Sequence, residues 1–174
     1  MKTLKVYILL TRSKTILSRA IHAVSGNKYT HASISFTGRR GPWYSYTRKD
    51  ERFLFPAGWA QERVVFNGNR KIPYALYSLE VTEEQYRRAV RVEELSRQFR
   101  FDVTGLFDLA IGCRPSAKDA YFCSQFVSHI LRESGIHAFK KPDNCVRPID
   151  FMIIPGIKLE DSGLLSKIGA RRCK

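Results

Sequence analysis

Strand-like patterns of apolar and polar residues dominate the first half of the chain. Residues 4–10 are bulky and mostly apolar, which predicts a buried strand. Residues 31–36 alternate between polar and apolar, residues 37–41 have the composition of a turn, and residues 43–47 are rich in strand-forming side chains. This combination predicts a β-hairpin with His31 near the start of its first arm.

Three later segments also have strand character. Residues 62–66 and 74–81 are rich in apolar and β-branched side chains, and the strong turn signal Asn67-Gly68-Asn69 lies between them. Residues 157–165 predict a final strand or a hairpin edge. The front half of the chain is therefore expected to be mainly antiparallel sheet.

Helical spacing of apolar residues begins after the first strand and returns in the second half. Thr82 opens a capping-box pattern, and Gly135 is placed to end the last helix. The predicted helices cover residues 13–24, 82–99, 103–111 and 121–134. An antiparallel sheet packed against such helices is an α+β fold, and the 174 residues fit a single domain spanning residues 1–174.

The composition adds a strongly basic charge. Lys and Arg number 30 against 16 Asp and Glu, a formal charge of +14 that would attract nucleic acid, anionic lipid or an acidic substrate alike. The longest apolar stretch is far shorter than the roughly 20 residues of a membrane span, and it lacks a signal-peptide cleavage pattern. The four cysteines do not form a dense disulfide framework, so free thiols are expected. We expect a cytoplasmic protein, either free or at the periphery of a membrane.

Cys123 is the strongest candidate for chemistry, because it falls in the first turn of a predicted helix. Unpaired backbone N–H groups and the positive end of the helix dipole favour a thiolate there. A nearby imidazole could take the thiol proton and later deliver it to a leaving group, while the backbone N–H of Cys123 helps to bind an oxyanion. Taken alone, such a cysteine is more often a small buried apolar residue.

The surroundings of Cys123 and His31 add a family resemblance. Residues 29–34 place His31 at a strand start, residues 122–127 place Cys123 at a helix start, and the histidine comes first along the chain. This order resembles the circularly permuted NlpC-like branch of the papain-like cysteine peptidases, a group that includes relatives of lecithin:retinol acyltransferase. Three further segments are similar to that group: residues 44–48, 101–106 and 147–150. The resemblance implies a papain-like fold in permuted order, with Cys123 as the nucleophile and His31 as its base.

The resemblance also implies a third polar residue that orients the imidazole. No histidine follows His31 before His129, so this sequence departs from the family pattern. Ser45 is the first choice, because the hairpin brings it near the start of the first arm on a compatible face. Glu62, on the next predicted strand, is the second choice. A hydroxyl at this position would stabilise an imidazolium less than a carboxylate would.

These residues predict a thiol hydrolase that cleaves an amide or ester through an acyl-enzyme intermediate. The resemblance leaves the substrate open among a peptide, a peptidoglycan fragment and a lipid, and it keeps an acyltransferase of the same fold as an alternative. No cofactor is expected.

Two other classes of function compete with the hydrolase. The charge of +14 and the aromatic residues Trp43, Tyr44 and Tyr46 near basic side chains are compatible with a nucleic-acid-binding domain, but the chain has no recognised nucleic-acid-binding motif. A metal site is disfavoured, because the cysteines lie 10, 22 and 28 residues apart and form no Cys-x-x-Cys pair. Neither a metal nor a nucleic acid is therefore expected as a ligand.

Overall fold

The computed structural model describes residues 4–12, 28–48, 57–66, 72–101 and 120–171. Its strands are β1 (Leu4–Thr11), β2 (His31–Ser35), β3 (Trp43–Arg48), β4 (Ala57–Phe66), β5 (Ile72–Val81), β6 (Arg100–Phe101), β7 (Ala120–Tyr121) and β8 (Lys158–Arg171). Its helices are α1 (Glu83–Leu95), α2 (Cys123–Glu133) and short 3₁₀ turns at Ser96–Gln98, Asp143–Cys145 and Pro148–Ile153. The α+β class expected from the sequence is confirmed. The helices predicted at 13–24 and 103–111 lie outside the described residues.

Six of the strands form one closed antiparallel sheet in the order β1-β2-β3-β4-β8-β5. Strand β1 lies between β2 and β5, and its Leu10 pairs with Ala32 of β2 and with Ala75 of β5. The predicted hairpin is present as β2 and β3, but these two strands pair in register only at Ile34 and Tyr44. The separation of β2 from β3 on the His31 side of this pair shapes the site described below.

The last strand differs from its prediction. A final strand or a hairpin edge over residues 157–165 was expected. The final strand is present, but β8 extends from Lys158 to Arg171 and lies between β4 and β5. Its register shifts opposite Leu76 and Tyr77, and Gly163 adopts a φ of 158° against the ring of Tyr74. Such irregularities bend a strand, which allows β8 to complete the closed sheet.

The two faces of the closed sheet hold two separate groups of apolar side chains. On the outer face, β1 and β2 contribute Val6, Ile8, Leu10, Ala32 and Ile34, which pack under the helices. On the inner face lies a smaller cluster: Leu9, Trp43, Val64, Ile72, Tyr74, Leu76 and Leu165. Because successive residues of a strand point to opposite faces, His31, Ser33 and Ser35 share the inner face of β2. That face therefore carries buried polar groups beside its apolar cluster.

Local signals set the limits of the two long helices. The Thr82 hydroxyl accepts from the Gln85 backbone N–H, and the Gln85 side chain accepts from the Thr82 N–H, so the predicted capping box at the start of α1 is confirmed. After α2, Gly135 adopts a φ of 69°, a left-handed conformation that suits glycine. No helix in the described part of the chain has both the length and the apolar content needed to cross a membrane.

Candidate active site

The thiol of Cys123 lies at the first residue of α2, where the sequence predicts it. The residue before it, Phe122, makes no side-chain cap hydrogen bond, so no capping side chain occupies the first-turn N–H groups. The backbone N–H groups of Ser124, in the same turn, and of Ala32, on β2, hydrogen-bond to the sulfur. Cys123 is only 7% exposed. The helix start and one strand thus supply donors that suit a thiolate in a largely water-free position.

The acidity of the thiol results from opposing effects. Burial raises the pKa of the Cys123 thiol, but the charge of His31, a hydrogen bond from its ring and the two backbone donors lower it. The lowering effects prevail, and the pKa lies below the ordinary value for a cysteine. A buried cysteine without such partners would have a raised pKa instead.

His31 joins the thiol to a carboxylate. It is 6% exposed at the start of β2. Its Nε2 lies 3.0 Å from Oε1 and 3.1 Å from Oε2 of Glu62. With Nε2 directed at this carboxylate, Nδ1 is the ring nitrogen left for Cys123. The result is a continuous chain of contacts from thiol to imidazole to carboxylate.

Glu62 reaches His31 because of its place in the closed sheet. It pairs with Trp43 in the β3–β4 ladder, and its side chain is 4% exposed on the inner face together with that of Val64. Strand β4 is two strands away from β2, so the carboxylate approaches the imidazole across the interior of the sheet. A charged group so well buried requires a partner, and His31 provides one.

Ser45, the first choice for orienting His31, occupies a different position. Its hydroxyl donates to the carbonyl oxygen of Ala32 at 2.7 Å. Strand β2 has already separated from β3 at that point, so the hydroxyl replaces a missing ladder hydrogen bond. The structure thus places the second choice, Glu62, on the imidazole and commits Ser45 to the backbone.

Ser33 is a member of this cluster that the sequence did not indicate. Its hydroxyl lies 3.2 Å from Nε2 of His31 and donates to Oε2 of Glu62 at 2.5 Å. Ser33 is two residues after His31 on the same strand, and therefore on the same face. That spacing was the available signal, since a polar residue at this position of a buried strand needs a partner.

Several nearby groups lie outside the cluster. Gln125 is 7% exposed, and its Oε1 has no hydrogen-bond partner among the residues that the structure describes. Two residues along a helix place it on a different side from Cys123. A cavity of about 360 Å³ reaches Glu62. Its described lining residues are Arg40, Gly41, Pro42, Gln61, Glu62, Arg63 and Val64.

The aromatic surface considered for nucleic acid is not present. Trp43 is 0% exposed and Tyr46 is 1% exposed. The Tyr46 hydroxyl donates to the Ser96 carbonyl oxygen, and the Tyr44 ring stacks on Trp59. Both faces of β3 are covered, by the inner cluster at Trp43 and by Tyr121 and Phe126 at Tyr46. These aromatics therefore hold the sheet together.

The cysteines differ from the expectation of free thiols. Cys123 is free, but Cys145 is disulfide-bonded. A disulfide is more typical of an oxidising compartment than of the reducing cytoplasm. Within the described ranges, no group of three or more His, Cys, Asp or Glu side chains could hold a metal ion.

The sequence comparisons found no relative of this chain. No protein-family model matches the chain, and no curated protein matches it in sequence. Functional inference therefore rests on the site itself.

Proposed function

We propose that this protein is a cysteine hydrolase of the amidase or peptidase type, with Cys123 as nucleophile, His31 as acid and base, and Glu62 as the residue that orients His31. The observation that carries the proposal is the buried chain of contacts from the Cys123 thiol through His31 to Glu62. A thiolate paired with an imidazolium is a competent nucleophile near neutral pH. The circularly permuted papain-like arrangement is part of the same proposal, supported by a strand-borne histidine that precedes a helix-borne cysteine.

The first half-reaction transfers the acyl group to sulfur. The Cys123 thiolate attacks the carbonyl carbon of an amide or ester, a C–S bond forms, and the carbonyl electron pair moves to oxygen. The backbone N–H of Cys123 at the helix start is the donor placed to stabilise that oxyanion. His31 then protonates the leaving amine or alcohol as the C–N or C–O bond breaks, which leaves a thioester.

Water completes the second half-reaction. Neutral His31 takes a proton from water, the hydroxide equivalent attacks the thioester, and the C–S bond breaks to release a carboxylic acid and the thiolate. Glu62 remains ionised throughout. It holds the imidazole in place and stabilises the imidazolium that forms in each half, as the carboxylate does in a serine-protease triad. The substrate class in this proposal is a small peptide, another amide or a lipid ester.

Trapping the acyl-enzyme tests the proposal. The protein is mixed with p-nitrophenyl acetate and with a panel of N-acyl amino acid anilides, quenched in acid and analysed by mass spectrometry of the Cys123 peptide. We expect one acyl group on Cys123 that disappears as product accumulates, and none in Cys123→Ser. Turnover by Cys123→Ser at the wild-type rate would overturn the proposal. Transfer of the acyl group to an added alcohol in preference to water would identify an acyltransferase with the same site.

A further inference from the structure

Ser33 connects the two partners of the imidazole–carboxylate pair. It is fully buried, donates to Glu62 at 2.5 Å and lies 3.2 Å from Nε2 of His31. We propose that Ser33 is a positioning residue that fixes both the orientation of Glu62 and the tautomer of His31. This inference rests on the proposed function, since it concerns the same thiol.

The donors and acceptors around Nε2 of His31 determine its tautomer. A serine hydroxyl has one proton to donate, and Ser33 gives it to the Glu62 carboxylate. Toward Nε2, Ser33 can then offer only a lone pair, and both oxygens of Glu62 are also acceptors. Three acceptor oxygens around Nε2 require that nitrogen to carry a hydrogen. In the neutral ring Nδ1 is therefore unprotonated and can accept the Cys123 proton.

The contacts of Glu62 show how its carboxylate is oriented. The carboxylate of Glu62 presents both oxygens to Nε2 at nearly equal distances, 3.0 and 3.1 Å. Ser33 holds Oε2 from one side, and its own position is fixed by a strand that is buried along its whole length. A group held by rigid secondary structure in this way orients its partner better than a loop residue would.

The neighbouring Ser35 provides a matched control. It lies on the same face of the same strand and is also fully buried, but its hydroxyl donates to the Gly38 carbonyl oxygen at 3.2 Å. Loss of the Ser35 hydroxyl removes a hydrogen bond of the β2–β3 turn and leaves the His31–Glu62 pair intact. The two serines therefore separate a positioning role from a general need for buried hydroxyls.

The experiment compares Ser33→Thr, Ser33→Val, Ser33→Ala and Ser35→Ala. Threonine and valine have nearly the same shape, so the first two variants differ chiefly in the hydroxyl. The rate of Cys123 alkylation by iodoacetamide is measured against pH on folded protein. Long-range proton–nitrogen spectra of histidine-labelled protein, recorded at a pH where the His31 ring is neutral, report its tautomer. If Ser33→Thr and Ser33→Val give equal circular dichroism spectra, a difference between their alkylation profiles does not come from a change in the fold.

We expect Ser33→Val and Ser33→Ala to lose about three- to tenfold in alkylation rate at mildly acidic pH, as a shift of about half to one pKa unit requires. Both should show a mixture of His31 tautomers, whereas Ser33→Thr and Ser35→Ala retain the wild-type profile and the Nε2–H form. Equal profiles for Ser33→Thr and Ser33→Val, with an unchanged tautomer, would overturn the Ser33 proposal. An ordinary cysteine profile in the wild type would instead overturn the proposed function.

Discussion

In the part of the chain that the structure describes, two histidines each face a carboxylate, and one of these pairs lies beside a thiol. His31 and Glu62 are 3.0 Å apart, and their side chains are 7% and 5% exposed. His129 and Asp143 are 3.8 Å apart, with 20% and 13% exposure. An imidazole–carboxylate pair is therefore not by itself a catalytic site. A catalytic site also needs a nucleophile within reach of the imidazole.

The surroundings of the second pair explain its different role. Asp143 also accepts from Ser128 at 2.7 Å and pairs with Arg132 at 3.0 Å, while the His129 ring packs against Tyr121. These contacts fasten the 3₁₀ turn at Asp143–Cys145 to α2. His129 and Asp143 therefore connect two parts of the fold, whereas His31 contacts both Glu62 and the Cys123 thiol.

Replacing each histidine tests the comparison most strongly. In His31→Gln we expect the alkylation rate of Cys123 at pH 6 to fall on the order of 100-fold, because the thiolate loses its imidazolium partner. His129→Gln should react at the wild-type rate. Peptide mapping after timed alkylation measures both. Equal rates in the two variants would remove the distinction between the pairs.

Replacing the carboxylates should produce a smaller but qualitatively different contrast. Glu62→Gln keeps the shape and removes the charge, so we expect about tenfold slower alkylation at mildly acidic pH. Asp143→Asn should leave that rate unchanged. If the two substitutions slow alkylation equally, Glu62 has no special relation to the thiol.

Asp143→Asn should instead change the acid stability of the fold. Burial raises the pKa of the Asp143 carboxyl, but the neighbouring His129, the hydrogen bond from Ser128 and the charge of Arg132 lower it below its usual range. A lowered folded-state pKa contributes stability above the unfolded-state value, and this stability is lost as pH falls through the folded-state pKa. Urea unfolding across the acid range should therefore show a shallower loss of stability in Asp143→Asn than in the wild type. Parallel curves would contradict this role.

Ser45→Ala is expected to have the smallest effect on the thiol. It leaves the buried Ala32 carbonyl without its 2.7 Å donor, which costs about 1–3 kcal/mol of folding free energy. The pH profile of Cys123 alkylation should not move, because Ser45 does not orient His31. Urea unfolding and timed alkylation separate the two effects. A shifted pH profile with unchanged stability would restore Ser45 as the orienting residue.

The sequence was informative where local patterns decide the structure. A helix start marked Cys123 and a strand start marked His31, and both elements are present. The choice between Ser45 and Glu62 was not local. It depended on where β2 separates from β3 and on the closure of the sheet by β8. Closure lets side chains of β2 and β4, which are not adjacent in the sheet, meet in its interior. Strand alternation carries no information on either feature.

The sequence also could not predict that both faces of β3 are buried. Trp43 and Tyr46 point to opposite faces of the strand, and both were considered as an exposed surface for nucleic acid. The inner cluster covers Trp43, while Tyr121 and Phe126 cover Tyr46 on the outer face. A closed sheet with helices outside it buries both, and only the tertiary arrangement reveals that closure.

The most direct test of the central claim is the pH dependence of Cys123 alkylation in the unmodified protein. The contacts with His31 and with the N–H groups of Ala32 and Ser124 lower the thiol pKa. The rate should therefore remain high well below the ordinary cysteine value of about 8.5. A rate that rises only near that value, as for an unpaired thiol, would contradict the assignment of Cys123 and His31 as a catalytic pair.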